Sequence, residues 1–145
     1  MHNKFLMVFL AVLLSGCAQS QRVQPIAKSD ISILPGAKVF TVAKVNSDGN
    51  IELTKIDKMV NSEVTLTFSF SEMKGGMMLV VKNPLDKTIK YHLNMIDSKG
   101  KVHNTSSCPV ESGLSVYESW PHPISEIRVS NVHVASKDEE GKCVY

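Results

Sequence analysis

Turn-forming residues interrupt this chain about every ten positions, and between them apolar side chains recur at every second residue. Val64, Leu66, Phe68 and Phe70 share one parity while Thr65, Thr67 and Ser69 share the other. Successive side chains of a strand point to opposite faces, so this pattern predicts a strand with one face in a core. Val39, Thr41, Ala43 and Val45 alternate with Phe40, Val42 and Lys44, and Asp48-Gly49 supplies a hairpin turn before Ile51 and Leu53. Gly75-Gly76 turns into Met77-Met78-Leu79-Val80-Val81, an unbroken apolar run that suits a central strand, and Asn83-Pro84 ends it. Thr88 to Asp97 alternates again, with Ile89, Tyr91, Leu93 and Met95 directed inward and Lys90, His92 and Asn94 outward, before the turn Ser98-Lys99-Gly100. Leu114 to Trp120 and Ile124 to Val134 complete the set. In the last, Ile127 and Val129 lie on one parity but Val132 and Val134 on the other, which predicts a bulge near Ser130-Asn131. Lys55 to Asn61 reads equally as a helical turn or a loop.

Seven or eight short strands with no convincing helix define an all-β, antiparallel β-sandwich. The expected domain runs over residues 31–145, long enough to bury a core. The stretch Val80-Val81-Lys82-Asn83-Pro84 followed by Ile89-Lys90-Tyr91 resembles the strand–turn–strand of immunoglobulin-like domains in bacterial envelope proteins. That resemblance implies an immunoglobulin-like arrangement of the two sheets.

Ahead of the domain the pattern changes. His2 and Lys4 precede ten unbroken apolar residues, Phe5 to Leu14, the layout of a secretory signal peptide and too short for a spanning helix. Leu14-Ser15-Gly16-Cys17 follows at once. This resembles the lipobox of bacterial lipoproteins, and the resemblance implies removal of residues 1–16, a diacylglycerol thioether on Cys17 and acylation of the new amino terminus. Three acyl chains hold a protein far more firmly than a single myristoyl group. Ala18, in place of an aspartate, implies by the same resemblance an outer-membrane destination, with the periplasmic face expected. Residues 17–30 are then the lipidated cysteine and a Gln- and Ser-rich tether without either apolar period.

Three cysteines are an odd number for an exported chain. With Cys17 assigned to lipid, Cys108 and Cys143 remain, and an oxidising compartment favours their pairing as a disulfide. Closing so long a loop contributes about 3–4 kcal/mol in the chain-entropy description. Neither cysteine stands in a Cys-x-x-Cys or Cys-His spacing suited to metal.

Sixteen basic and 14 acidic residues are scattered along the chain, so it lacks the basic stripe of a nucleic-acid binder. Loss of residues 1–16 takes one basic residue, Lys4, and electrostatic steering of a partner should be weak. No Gly-x-Ser-x-Gly elbow, His-Glu-x-x-His motif or phosphate-cradling loop is present, so neither an enzymatic activity nor a cofactor is expected. His92, His103, His122 and His133, with Met77 and Met78, are the donors a periplasmic copper or small-ligand carrier would use, although the methionine pair equally suits core filling.

The most distinctive stretch is Ser107-Cys108-Pro109-Val110 through Glu118-Ser119-Trp120-Pro121-His122-Pro123. Tyr117, Trp120 and His122 are the candidate partner-binding residues, because aromatic anchors on rigid loops are what protein-binding surfaces use. The alternative is that Trp120 closes one end of the core. The Thr65, Thr67 and Ser69 face reads either as a solvated sheet surface or as part of an edge strand open to an added strand. The expectation is therefore a lipid-anchored envelope protein with a protein partner, such as an accessory subunit of a secretion or assembly machine. A metal or ligand carrier and an inhibitor of a wall-cleaving enzyme are the alternatives.

Overall fold

The computed structural model describes residues 30–143; the expected signal peptide, Cys17 and nearly all of the tether lie outside them. Nine strands form two antiparallel sheets packed face to face, and among the described residues there is no helix. They are β1 (Ile31–Ile33), β2 (Lys38–Val45), β3 (Ile51–Ile56), β4 (Thr65–Met73), β5 (Gly76–Lys82), β6 (Ile89–Ile96), β7 (Val102–Thr105), β8 (Ser115–Trp120) and β9 (Glu126–Val134). One sheet has the order β1-β9-β6-β7 and the other β3-β2-β4-β5-β8. The fold is the expected all-β sandwich. Two short strands, β1 and β7, exceed the seven that alternation marks out, because three and four residues are too few to display a period.

The core lies between the sheets. Leu66, Phe68 and Phe70 of β4 and Met77, Leu79 and Val81 of β5 meet Ile89, Tyr91 and Leu93 of β6 and Ile127, Val129 and Val132 of β9. These residues have the parities the alternation assigns. The change of parity in β9 is a real bulge: Lys90 pairs with His133 but His92 pairs with Ser130, so the β9 side carries an extra residue. Asn131 takes φ 49° there, a conformation asparagine tolerates better than most.

The Asp48-Gly49 hairpin forms as expected. Gly49 takes φ 85°, and the Asp48 carboxylate accepts from the Asn50 backbone and side-chain amides at 3.0 and 2.8 Å. Beyond β3, residues 57–64 run as bends and turns, which resolves the undecided Lys55–Asn61 segment as the end of β3 followed by a loop.

Two outward assignments are corrected. Lys90 is only 4 % exposed, because the C-terminal segment folds over it and the Lys142 carbonyl accepts from its Nζ at 3.0 Å. Thr65 and Thr67, expected on a solvated face or an open edge, are 1 % and 6 % exposed. β4 is the middle strand of five, with Phe40, Val42 and Lys82 as the cross-strand neighbours of these threonines, and the Thr65 hydroxyl donates to the Asn61 carbonyl.

Gly76 marks where this sheet closes most tightly. A Cβ at this position would overlap the Trp120 carbonyl oxygen and lie 3.1 Å from Pro121 Cα, backbone atoms that cannot swing away. Gly76→Ala should destabilise the fold by about 2–3 kcal/mol through overpacking. Gly75, at φ 93° with open space around it, should cost about 1–2 kcal/mol as alanine, from backbone strain alone. Urea unfolding of the two variants compares them, and equal midpoints would contradict the close approach.

Candidate functional site

The five-stranded sheet turns one face to the core and the other outward, and the outer face carries an apolar strip alongside the exposed charges Lys38, Lys44, Glu52 and Lys82. Strand β2 contributes Phe40 and Val42, β3 Ile56, β5 Met78 and Val80, and β8 Tyr117. All are half-buried except Tyr117, which is 66 % exposed. Between them stand the hydroxyl side chains of β4, and Lys38 reaches over the Phe40 ring at 5.3 Å from its centroid. Cation–π contact of this kind keeps the aliphatic stem of the lysine on the apolar surface. The middles of β2 and β5 are apolar on both parities, the signal in the sequence that part of a second face is apolar; alternation alone assigns it to solvent.

Strand β8 forms one margin of this face. The Asn83 N–H donates to the Leu114 carbonyl at 2.9 Å, just beyond the β5–β8 register. Hydrogen-bonded and non-hydrogen-bonded pairs alternate in an antiparallel ladder. Val116, Glu118 and Trp120 therefore direct their backbone groups at β5, whereas Ser115, Tyr117 and Ser119 direct theirs away from the sheet. The side chains of these three are exposed on the outer face. Glu118, on the inner parity, accepts from the Cys108 N–H at 3.0 Å.

Trp120 presents little surface. It is 8 % exposed, sits edge-on to Phe70 at 6.4 Å between centroids, and donates from Nε1 to Thr105 Oγ1 of β7 at 2.8 Å. It thus ties the two sheets together at the margin where β8 and β7 lie, as the core-closing alternative expected. Tyr117 and Trp120 are three residues apart and lie on opposite faces, so they do not form one surface.

His122 is exposed on the loop after β8, between two shallow hollows. One, of about 300 Å³, is lined by Glu72, Met73, Gly76 and Pro121; the other, of about 430 Å³, by Met95, Asp97, His103 and Ile124. In the second, His103 Nε2 lies 3.0 Å from Asp97 Oδ2. That hydrogen bond, with the Lys101 and Lys99 backbone amides, holds the Asp97 carboxyl at about 2, well below its ordinary value.

The remaining histidines are dispersed. His92 is exposed on β6, and His133 faces Glu139 at 3.2 Å. The Ser136 N–H and hydroxyl also donate to Glu139, and the backbone bond is the largest cause of its pKa of about 2. Met77 is buried in the core beside Leu79 and Val81, and Met78 is on the outer face. Among the described residues no three His, Cys, Asp or Glu side chains converge to hold a metal ion.

Cys108 and Cys143 come together as a disulfide-compatible pair, with Cα atoms 4.1 Å apart across 35 positions of sequence. They bring the C-terminal segment against the chain entering β8. Cys17 lies outside the described residues. No protein-family model matches the chain, and no curated protein or solved structure matches it.

Proposed function

We propose that this chain is a small lipid-anchored protein of the bacterial envelope that binds or scaffolds other proteins. In this reading it is held at Cys17 in the outer membrane, faces the periplasm, and serves as an accessory subunit of a secretion or assembly machine. The observation that carries the reading is Leu14-Ser15-Gly16-Cys17 directly after the apolar run Phe5–Leu14. The rest of the chain fits it: a compact sandwich, taken as immunoglobulin-like from its strand–turn–strand at residues 80–91, bears an apolar strip on its outer face with Lys38, Lys44, Glu52 and Lys82 exposed around it. Such a face suits contact with protein, because desolvating Phe40, Val80 and Tyr117 is favourable where desolvating charge is costly.

Cys17→Ala should move the full chain from the membrane to the soluble fraction of fractionated cells. Membrane retention unchanged by the substitution would remove the anchor. Photocrosslinkers at the exposed Thr54 and Lys38 positions of the outer face should trap a reproducible envelope protein in cells. Traps that return nothing at either position would remove the scaffolding role while leaving the anchor standing.

A further inference from the structure

We propose that a second copy of this chain pairs antiparallel along the free edge of β8, with the two Tyr117 residues opposite each other, joining two five-stranded sheets into one continuous sheet. An edge strand with unpaired N–H and C=O groups is a template for another strand, and sandwich proteins usually guard such edges with lysine, proline, a bulge or brevity. Among the described residues the other three sheet edges are guarded. β1 and β7 are three and four residues long, and β3 carries Lys55 at an outward-bonding position and is crossed at its start by the Asn50–His133 bridge. β8 has six residues in regular register with β5 and no lysine, proline or bulge.

The occupant follows from what that edge presents. The three residues whose backbone groups point outward are Ser115, Tyr117 and Ser119, all uncharged. The one charge of the strand, Glu118, is on the opposite parity and already bonded to the Cys108 N–H. Two copies related by a two-fold axis through Tyr117 place Ser115 of each against Ser119 of the other. No like charges meet, and each of the three pairs exchanges two backbone hydrogen bonds. The two tyrosines form a cross-strand aromatic pair on the outer face. The outward-bonding residues of β8 carry no charge that would select a charged peptide, whereas their Ser-Tyr-Ser spacing matches itself in the antiparallel register.

The point where the chain enters the fold agrees with this arrangement. A two-fold axis relating adjacent antiparallel strands is normal to their sheet, so both outer faces look the same way. Each chain enters at Ile31 of β1, in the four-stranded layer behind. Both copies of Ile31 therefore lie in the layer behind the fused outer face. Given the lipid anchor proposed above, on which this one argument rests, a two-fold pair lets both acyl groups reach the same leaflet.

The test uses the full lipidated chain in detergent and the full chain carrying Cys17→Ala in buffer, so that association is read apart from anchoring. Sedimentation at high micromolar concentration should give twice the monomer mass for both. Tyr117→Pro removes an N–H that does not bond β5, and Tyr117→Lys sets two cations against each other at the axis. Each should weaken self-association at least tenfold, with the thermal melt of the monomer retained. A short bis-maleimide should link Tyr117→Cys chains into dimers but not Lys55→Cys chains. A monomeric parent chain at high micromolar concentration overturns the proposal, as does dimer mass unchanged by Tyr117→Lys. So does crosslinking from position 117 in cells to a different protein with no self-linked product.

Discussion

Asn83→Asp, which exchanges an amide nitrogen for oxygen at nearly constant volume, is expected to destabilise the domain by about 3–5 kcal/mol at neutral pH. Asn83 is fully buried at the end of β5. Its Nδ2 donates to the carbonyls of Lys87, Val110 and Glu111 at 2.8, 2.9 and 3.2 Å, and its Oδ1 accepts from the Leu85 N–H at 3.0 Å. One side chain thus fixes both the connection into β6 and the segment leading to β8. A carboxylate would turn an unpaired negative charge toward three carbonyl oxygens. Protonation restores one donor, so the folded-state pKa of that variant must lie above its unfolded value. Its deficit should therefore shrink as pH falls from 7 toward 4. Urea unfolding at both pH values measures this, and a variant within 1 kcal/mol of the parent at pH 7 would contradict the role assigned to Asn83.

Replacing Cys108 and Cys143 together by serine should lower stability by about 3–4 kcal/mol if the pair is oxidised, since the link closes a long loop in the unfolded chain. The loss should also be local. Lys90 Nζ is bonded to the Lys142 carbonyl, next to Cys143, so release of this segment hydrates a lysine that is otherwise buried. Amides of residues 136–143 should exchange faster in the double variant, while those of β4 and β5 keep their order of protection. Alkylation without reductant should label neither cysteine of the folded parent. Labelling of both, or a double variant that melts with the parent, would show that the pair does not link.

Where a residue's neighbours are fixed by its own strand, the sequence is legible. The parity of Phe68, Leu79 and Tyr91 assigns them to the core, and the parity change in β9 locates a bulge before any pairing is known. Position within a sheet is different, since it depends on pairings between distant segments. Nothing local distinguishes β4, at the centre of five strands, from an edge, so the hydroxyl face of Thr65 and Thr67 reads as solvated although its neighbours cover it. Lys90 fails for the same reason: what buries it comes from Lys142, more than fifty residues away. Of the candidate partner-binding residues, Tyr117 is on an exposed margin, His122 is on an exposed loop, and Trp120 is part of the core. Tyr117 and Trp120 differ by one parity step along a single strand, which composition cannot weigh.

The brevity of β1 governs how the domain bears load. For a chain tethered through its amino terminus, every pull on the domain enters at Ile31 and is resisted first by three residues paired with Val129, Arg128 and Ile127 of β9. Tension directed along β1 loads that short ladder in shear. Ile31 and Ile33 are the buried side chains at stake, each contributing about 1.5–3 kcal/mol. Tension should therefore detach β1 while β9, β6 and the five-stranded sheet remain joined, lengthening the tether before the sandwich opens.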